Sequence, residues 1–214
     1  DEEEPDNVAE AVVRLGARHA VITSVTRDDL DDGGAGHIAR TVTAVKQKSR
    51  ATTVEVLVPD FCGNAGAIAT VVDSGAEVFG HNIETVERLH TRLRDKRYSY
   101  RRSLEVLQAA RRLKRDGFVK SSFMLGCGET GEDVTGTLRD LRAAGCDAVA
   151  MGQYLRPRPD NGPVAEFVTP EQFAKYERLA LEMGFVFAVA GPFVRSSYRS
   201  EDLLAAATVG KRES

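Results

Sequence analysis

The sequence has no tryptophan and only three cysteines among its 214 residues. Cys62, Cys127 and Cys146 are separated by 65 and 19 positions, so they form neither a CxxC nor a CxxxCxxC motif. This spacing argues against a disulfide framework, and it encodes no self-contained zinc or iron–sulfur centre. We expect Cys127 and Cys146 to be small apolar residues of the core or of loops.

Three further absences concern the partners and the location of the protein. The chain has 29 Lys and Arg against 32 Asp and Glu, a formal net charge of −3, so no basic excess is present to bind nucleic acid. No apolar run approaches the roughly 18 residues of a membrane span, and no charged-then-apolar leader opens the chain. We expect no nucleic acid, no membrane, and a location in the cytoplasm, or in a mitochondrion or plastid if the source is eukaryotic. The acidic opening without Met suggests a longer or a processed protein.

Short apolar strands alternate with helices of about 10–15 residues along the chain, a pattern typical of parallel strands covered by helices. Strands are predicted at residues 19–25, 53–58, 77–80, 119–125, 147–152 and 185–190. Because the chain starts on a helix, we predict an α/β fold: a partial parallel (β/α) barrel of about six units that lacks its first strand. It forms one domain over residues 1–214, with a C-terminal RSSY segment at about 191–214. Without the first strand, one edge of the sheet is unpaired, and exposed edges promote association. We therefore predict marginal solubility of the isolated chain.

Polar residues and glycines follow the predicted strands, where the active sites of such folds lie. Each has a plainer interpretation: Asp28 or Asp29 as a helix cap, and His81 as a core histidine with its hydrogen bonds satisfied. Six strand ends in succession nevertheless favour a ligand site. The strand-end residues are Asp28, Asp29, Asp60, His81, Asn82, Glu84, Gly126–Glu129, Gln153, Tyr154, Arg156 and Arg195–Tyr198.

The stretch VKSSFMLGCGETGE, residues 119–132, reads as a buried strand, a glycine-rich turn and the start of a helix. Lys120 is unusual inside such a strand, because a buried cation is costly without an anionic partner. The alternative is an ordinary βα unit whose lysine reaches the solvent.

Seven strings together resemble one family, the lipoyl synthases, over about residues 8–200. They occur in this order: VITSVTRDDLDDGGAGH, PDFCGN, HNIETVERL, YRRSLEVL, KSSFMLGCGET, GCDAVAMGQYLRP and GPFVRSSYRS. The resemblance implies a radical S-adenosylmethionine enzyme, a sulfurtransferase that inserts sulfur at C6 and C8 of a protein-bound octanoyl group to form the lipoyl cofactor. It also implies two [4Fe–4S] clusters, and an octanoylated carrier as partner, either H protein or the lipoyl domain of a dehydrogenase E2.

The resemblance also implies roles around S-adenosylmethionine. Gly33 and Gly34 resemble a glycine pair that exposes backbone groups to its methionine end. Asn82 and Glu84 are candidates to hold the ribose hydroxyls or the methionine group. The resemblance implies that Gly126, Gly128 and Glu129 belong to the stretch that contacts the adenine. It also makes Lys120, Arg102 and Arg156 candidates to bind anionic groups.

Ser197 of the RSSY string is implied as the non-cysteine iron ligand of the auxiliary cluster. Arg195 beside it favours the deprotonated hydroxyl that iron requires. Ser197 is chosen over Ser196 by alignment with the motif. No residue is assigned a catalytic role.

The sequence departs from the family in its cysteines, because the two cysteine triplets that hold the clusters are absent. One serine cannot hold a cluster, so we expect the isolated chain to be inactive. A fragment of a lipoyl synthase, one half of a split enzyme, and a non-catalytic homologue that binds S-adenosylmethionine or the carrier protein remain the alternatives. An unrelated barrel enzyme, such as one acting on phosphorylated sugars, is a remote fourth.

Overall fold

Six parallel strands form one sheet and follow one another across it in chain order. The computed structural model describes residues 1–210. Its strands are β1 (His19–Thr23), β2 (Thr53–Leu57), β3 (Val78–Gly80), β4 (Phe118–Leu125), β5 (Ala148–Gln153) and β6 (Phe187–Gly191). The predicted partial parallel (β/α) barrel of six units is thereby confirmed.

Helices precede every strand and a last helix follows β6. They are α1 (Glu4–Arg14), α2 (Ala35–Lys48), α3 (Ala65–Val72), α4 (Glu87–Leu93), α5 (Tyr100–Leu113), α6 (Gly131–Ala143), α7 (Pro170–Glu182) and α8 (Glu201–Gly210). A 3-10 turn at Phe61–Gly63 leads into α3. None of these helices is long and apolar enough to cross a membrane.

Alternation along the strands separates two faces of the sheet. Val54 and Val56 of β2, and Phe123 of β4, belong to the main core, which the helices cover. Glu55 and Lys120 point to the opposite face, called here the inner face, where α8 packs instead. The inner face thus carries the charged residues of β2 and β4, whose other residues are mostly apolar.

The sequence predicts the alternation of helices and strands and misses α8, which begins with Glu201 and Asp202 shortly after the RSSY string. Helix α2 begins at Ala35, because the Asp32 carboxylate accepts hydrogen bonds from the Gly34 and Gly36 amides and caps the helix there. The single domain over residues 1–214 stays a prediction. Positions 211–214 of the predicted C-terminal RSSY segment lie outside the described residues.

Candidate functional site at the carboxyl edge of the sheet

Two adjoining cavities lie at the carboxyl ends of the strands. The first, of about 230 Å³, follows β1 to β3, and the second, of about 220 Å³, follows β4 to β6. Asn82 and Glu84 line both cavities and therefore stand at their common boundary. The six strand ends therefore surround two adjoining cavities at one edge of the sheet.

The backbone after β3 holds Asn82 and Glu84 in place. The Glu84 amide donates to the Ser122 carbonyl over 3.1 Å, and the Met124 amide donates to the Glu84 carbonyl over 3.0 Å. Glu84 has a φ of 70°, a left-handed conformation that is strained for a residue with a side chain. Within residues 1–210, neither the Asn82 amide nor the Glu84 carboxylate makes a side-chain hydrogen bond. A polar ligand can therefore satisfy both groups.

His81 forms part of the wall of the first cavity and is buried. Its Nδ1 lies 2.9 Å from the Val58 carbonyl oxygen and its Nε2 lies 3.0 Å from Ser103 Oγ. Since a carbonyl only accepts, Nδ1 carries the proton and Nε2 accepts from the serine hydroxyl. Burial lowers the pKa of His81, so the ring is neutral. The interpretation of His81 as a satisfied core histidine is confirmed.

A tight turn after β2 forms the next part of the wall. The buried Asp60 carboxylate accepts a hydrogen bond from the Cys62 amide and another from Arg102 Nη1, at 3.0 and 3.1 Å. Arg102 was predicted to hold an anionic ligand group, but its guanidinium pairs with Asp60 inside the protein. The other arginine of that prediction, Arg156, is exposed and donates to the Asn161 carbonyl at 2.9 Å.

The amides of Gly33 and Gly34, which were predicted to expose backbone groups, are both engaged within the protein. The Gly33 amide donates to the Leu30 carbonyl and the Gly34 amide donates to Asp32, each over 2.9 Å. The left-handed Gly33 also packs so closely on Phe61 that a Cβ would lie 2.9 Å from the ring. The binding role of the glycine pair stays a prediction. Asp28 and Asp29 cap no helix, because each pairs with an arginine.

The loop at Gly126, Gly128 and Glu129 is organised around its own backbone. The Glu129 carboxylate accepts hydrogen bonds from the Gly126 and Cys127 amides, so it is already engaged. The Ala165 amide donates to the Gly126 carbonyl over 2.9 Å, which places residues 165 and 166 over the loop. None of these three predicted site residues lines either cavity.

Lys120 is a correction to the predicted cofactor-binding set. Its ammonium lies 2.9 and 3.1 Å from the two Glu55 carboxylate oxygens and 2.6 Å from Ser200 Oγ. Only 2% of its side chain is exposed. The expected anionic partner therefore exists, and it is a residue of the protein.

The turn after β6 carries the RSSY string. Arg195 and Ser196 line the second cavity, whereas Ser197, the predicted iron ligand, is exposed on the same turn. The role of Ser197 stays a prediction. Arg94 was not predicted: it lines the first cavity, and its buried Nε has no hydrogen-bond partner within residues 1–210. The arginine-rich segment 88–102 was the signal that points to it.

The described cysteines do not fit an iron–sulfur cluster. Cys62 is exposed, while Cys127 and Cys146 are buried in separate places. Burial raises the pKa of the Cys127 thiol to about 12, which disfavours the thiolate that iron binds. Within residues 1–210, no group of three potential metal-ligating side chains is found.

Comparison with known proteins places this architecture in a superfamily. Residues 1–141 match the family model described as the radical SAM superfamily. The hydrogenase maturase HydG from Carboxydothermus hydrogenoformans has a similar fold, with a TM-score of 0.69 and 12% identity over 96% of this chain and 49% of that one. The chain belongs to the radical SAM superfamily.

The relatives define the family more narrowly. Lipoyl synthase of Thermus thermophilus is 50% identical over 97% of this chain and 64% of its own length. Lipoyl synthase of Caldanaerobacter subterraneus subsp. tengcongensis is 52% identical over 94% of this chain and 70% of its own length. Within the superfamily, the chain belongs to the lipoyl synthase family. It spans 64% of the length of the first of these relatives and 70% of the second.

Proposed function

We propose that the protein containing this chain is a lipoyl synthase. It inserts sulfur at C6 and C8 of an octanoyl group carried on a lysine of H protein or of the lipoyl domain of a dehydrogenase E2. The support is close relatedness to lipoyl synthases along nearly the whole chain, together with a two-cavity site at the edge where such enzymes act. Two [4Fe–4S] clusters belong to the proposal, and their thiolates must come from cysteines other than the three present here.

The first cavity suits S-adenosylmethionine. The Asn82 amide and the Glu84 carboxylate are unengaged within residues 1–210, and they match the hydroxyl and ammonium groups of that molecule. The neutral His81 adds no charge to the wall. S-adenosylmethionine supplies hydrogen-atom abstraction when bound. The residues of this chain hold and orient it.

The second cavity suits the octanoyl chain, because its wall is in part apolar. Met124, Leu155 and Val194 contribute to that wall, and Arg195 and Ser196 lie at its side. Since Glu84 lines both cavities, a ligand in the first cavity borders a ligand in the second. This adjacency is what hydrogen abstraction from an octanoyl carbon requires.

The proposal is tested with the protein at its native length, reconstituted anaerobically with iron and sulfide. An octanoyl-lysine peptide and S-adenosylmethionine are added, and lipoyl peptide and 5′-deoxyadenosine are measured by mass spectrometry. We expect Glu84→Gln to weaken S-adenosylmethionine binding by about tenfold or more, because a hydrogen bond to a charged group is lost. Glu171→Gln, on the exposed first turn of α7, is the matched control.

Two results would count against the proposal: no sulfur insertion by the reconstituted wild type, or equal binding by Glu84→Gln and the wild type. Calorimetric binding of S-adenosylmethionine without turnover would favour the alternative of a non-catalytic homologue. Iron uptake only after a second polypeptide is added would indicate a split enzyme.

A further inference from the structure

The segment that follows β6, residues 192–206 and here called the tail, crosses the inner face of the sheet. Val194 packs against Ala150 and Val189. Further along, Leu203 is fully buried against Val78 and Ala148, the first residues of their strands. The tail therefore runs from the carboxyl edge of the sheet to its amino edge.

Between these two apolar contacts, one polar residue of the tail is completely buried. Ser200 has 0% exposure, and its hydroxyl hydrogen-bonds to the Glu55 carboxylate while accepting from Lys120 Nζ at 2.6 Å. Glu55 and Lys120 come from β2 and β4, and their side chains are 1% and 2% exposed. These three buried polar groups thus form hydrogen bonds with one another where the tail crosses the middle of the sheet.

This arrangement is costly unless it is complete. The free-energy cost of removing an ion pair from water is offset only when further hydrogen bonds satisfy its remaining oxygens and protons. Ser200 supplies such a bond to both members of the pair. Lys120 and Glu55 are therefore matched to a hydroxyl on the tail.

The position of this contact along the chain matters for the site. Ser200 lies three residues after Ser197, and three residues span at most about 10 Å even when fully extended. Fixing Ser200 therefore restricts the turn that places Arg195 and Ser196 in the second cavity and Ser197 beside it.

We infer that Lys120 and Glu55 are positioning residues, which hold Ser200 and thereby fix the RSSY turn at the mouth of the second cavity. The importance of that turn rests on the proposed function. The anchoring itself rests only on the contacts of Ser200.

Hydrogen exchange followed by mass spectrometry tests the inference on the native-length protein without cofactors. Two amides report on the tail: Tyr198 donates to the Arg195 carbonyl, and Leu203 donates to the Ser200 carbonyl. In Ser200→Ala, we expect the amides of residues 195–203 to exchange about tenfold faster or more, since a hydrogen bond to charged groups is lost. Amides of β4 and β5 should keep their exchange rates.

Ser99→Ala is the matched control, because it removes a serine that caps α5 by accepting from the Arg102 amide. It should leave tail exchange unchanged. The double variant Lys120→Met with Glu55→Leu replaces the buried ion pair by apolar side chains of similar volume, a replacement that is often neutral for stability. We expect it to speed tail exchange as Ser200→Ala does.

Unchanged tail exchange in both Ser200→Ala and the double variant would overturn the inference. Equal acceleration throughout the sheet would also overturn it, because the three residues would then serve general stability alone. The experiment uses neither S-adenosylmethionine nor a carrier protein, so its failure is separate from failure of the sulfur-insertion assay.

Discussion

Gly152 on β5 is the position where one added methyl group should affect the tail most. A Cβ built there would lie 2.2 Å from the Val194 carbonyl oxygen and 3.2 Å from Arg195 Nη1. The first of these is a backbone atom, which cannot move aside by changing a rotamer. The substitution Gly152→Ala therefore forces the tail away from the sheet.

The cost follows from that distance. The carbonyl must retreat by about 1 Å to reach an ordinary contact, and overpacking of this kind costs about 1–3 kcal/mol. For a chain of this length, each kcal/mol lowers the melting temperature by roughly 2–4 °C. Because Gly152, Val194 and Arg195 all line the second cavity, the site should change together with the stability.

Thermal unfolding followed by far-ultraviolet circular dichroism checks this expectation. The matched control is Gly136→Ala in α6, where no atom lies within 4 Å of the added Cβ. There the free energy of unfolding should rise by about 0.5–1 kcal/mol, because alanine loses less backbone entropy than glycine in a helix. If Gly152→Ala were as stable as the wild type, the tail would not lie against β5 as described.

Two further predictions concern titration and thiol reactivity. The Arg88 side chain and the Thr130 amide lower the pKa of Asp133 from 3.8 to about 2, so its stabilisation is complete above pH 3.8 and is lost as the pH falls through about 2. Asp133→Asn should therefore lower the free energy of unfolding by about 1 kcal/mol at neutral pH and leave it unchanged below about pH 2. A loss of stability that did not depend on pH would contradict the assignment to the Asp133 carboxylate. In a thiol titration of the native chain, exposed Cys62 should react quickly, while buried Cys127 and Cys146 should react only in denaturant; rapid modification of two thiols would refute the burial.

Periodicity made the six helix–strand units predictable, and turn chemistry located the carboxyl edge with Asn82 and Glu84. The partner of Lys120 was not predictable from local sequence. Glu55 lies 65 positions earlier, and only the sheet register brings β2 and β4 to the same part of the inner face. A weak signal existed: Glu55 stands between two valines, so alternation sets it on the face opposite to them.

The glycine positions also show that local sequence does not identify tertiary contacts. Gly33, Gly34 and Gly126 read as ligand-binding glycines, since a residue without Cβ allows close approach of any group. In the structure the approaching group is the protein itself: the Phe61 ring at Gly33 and the Glu166 carbonyl at Gly126. Sequence shows that something must come close, whereas tertiary structure decides what it is.

The path of the tail has a consequence for how the chain is made. Residues 192–206 follow all six strands, so a ribosome delivers them after the whole sheet has emerged. Until Ser200 arrives, the Lys120–Glu55 pair remains hydrated, and final dehydration of the inner face waits for the tail. A nascent chain halted before this segment would carry all six of these strands and an unfinished interior, which is a form that chaperones recognise.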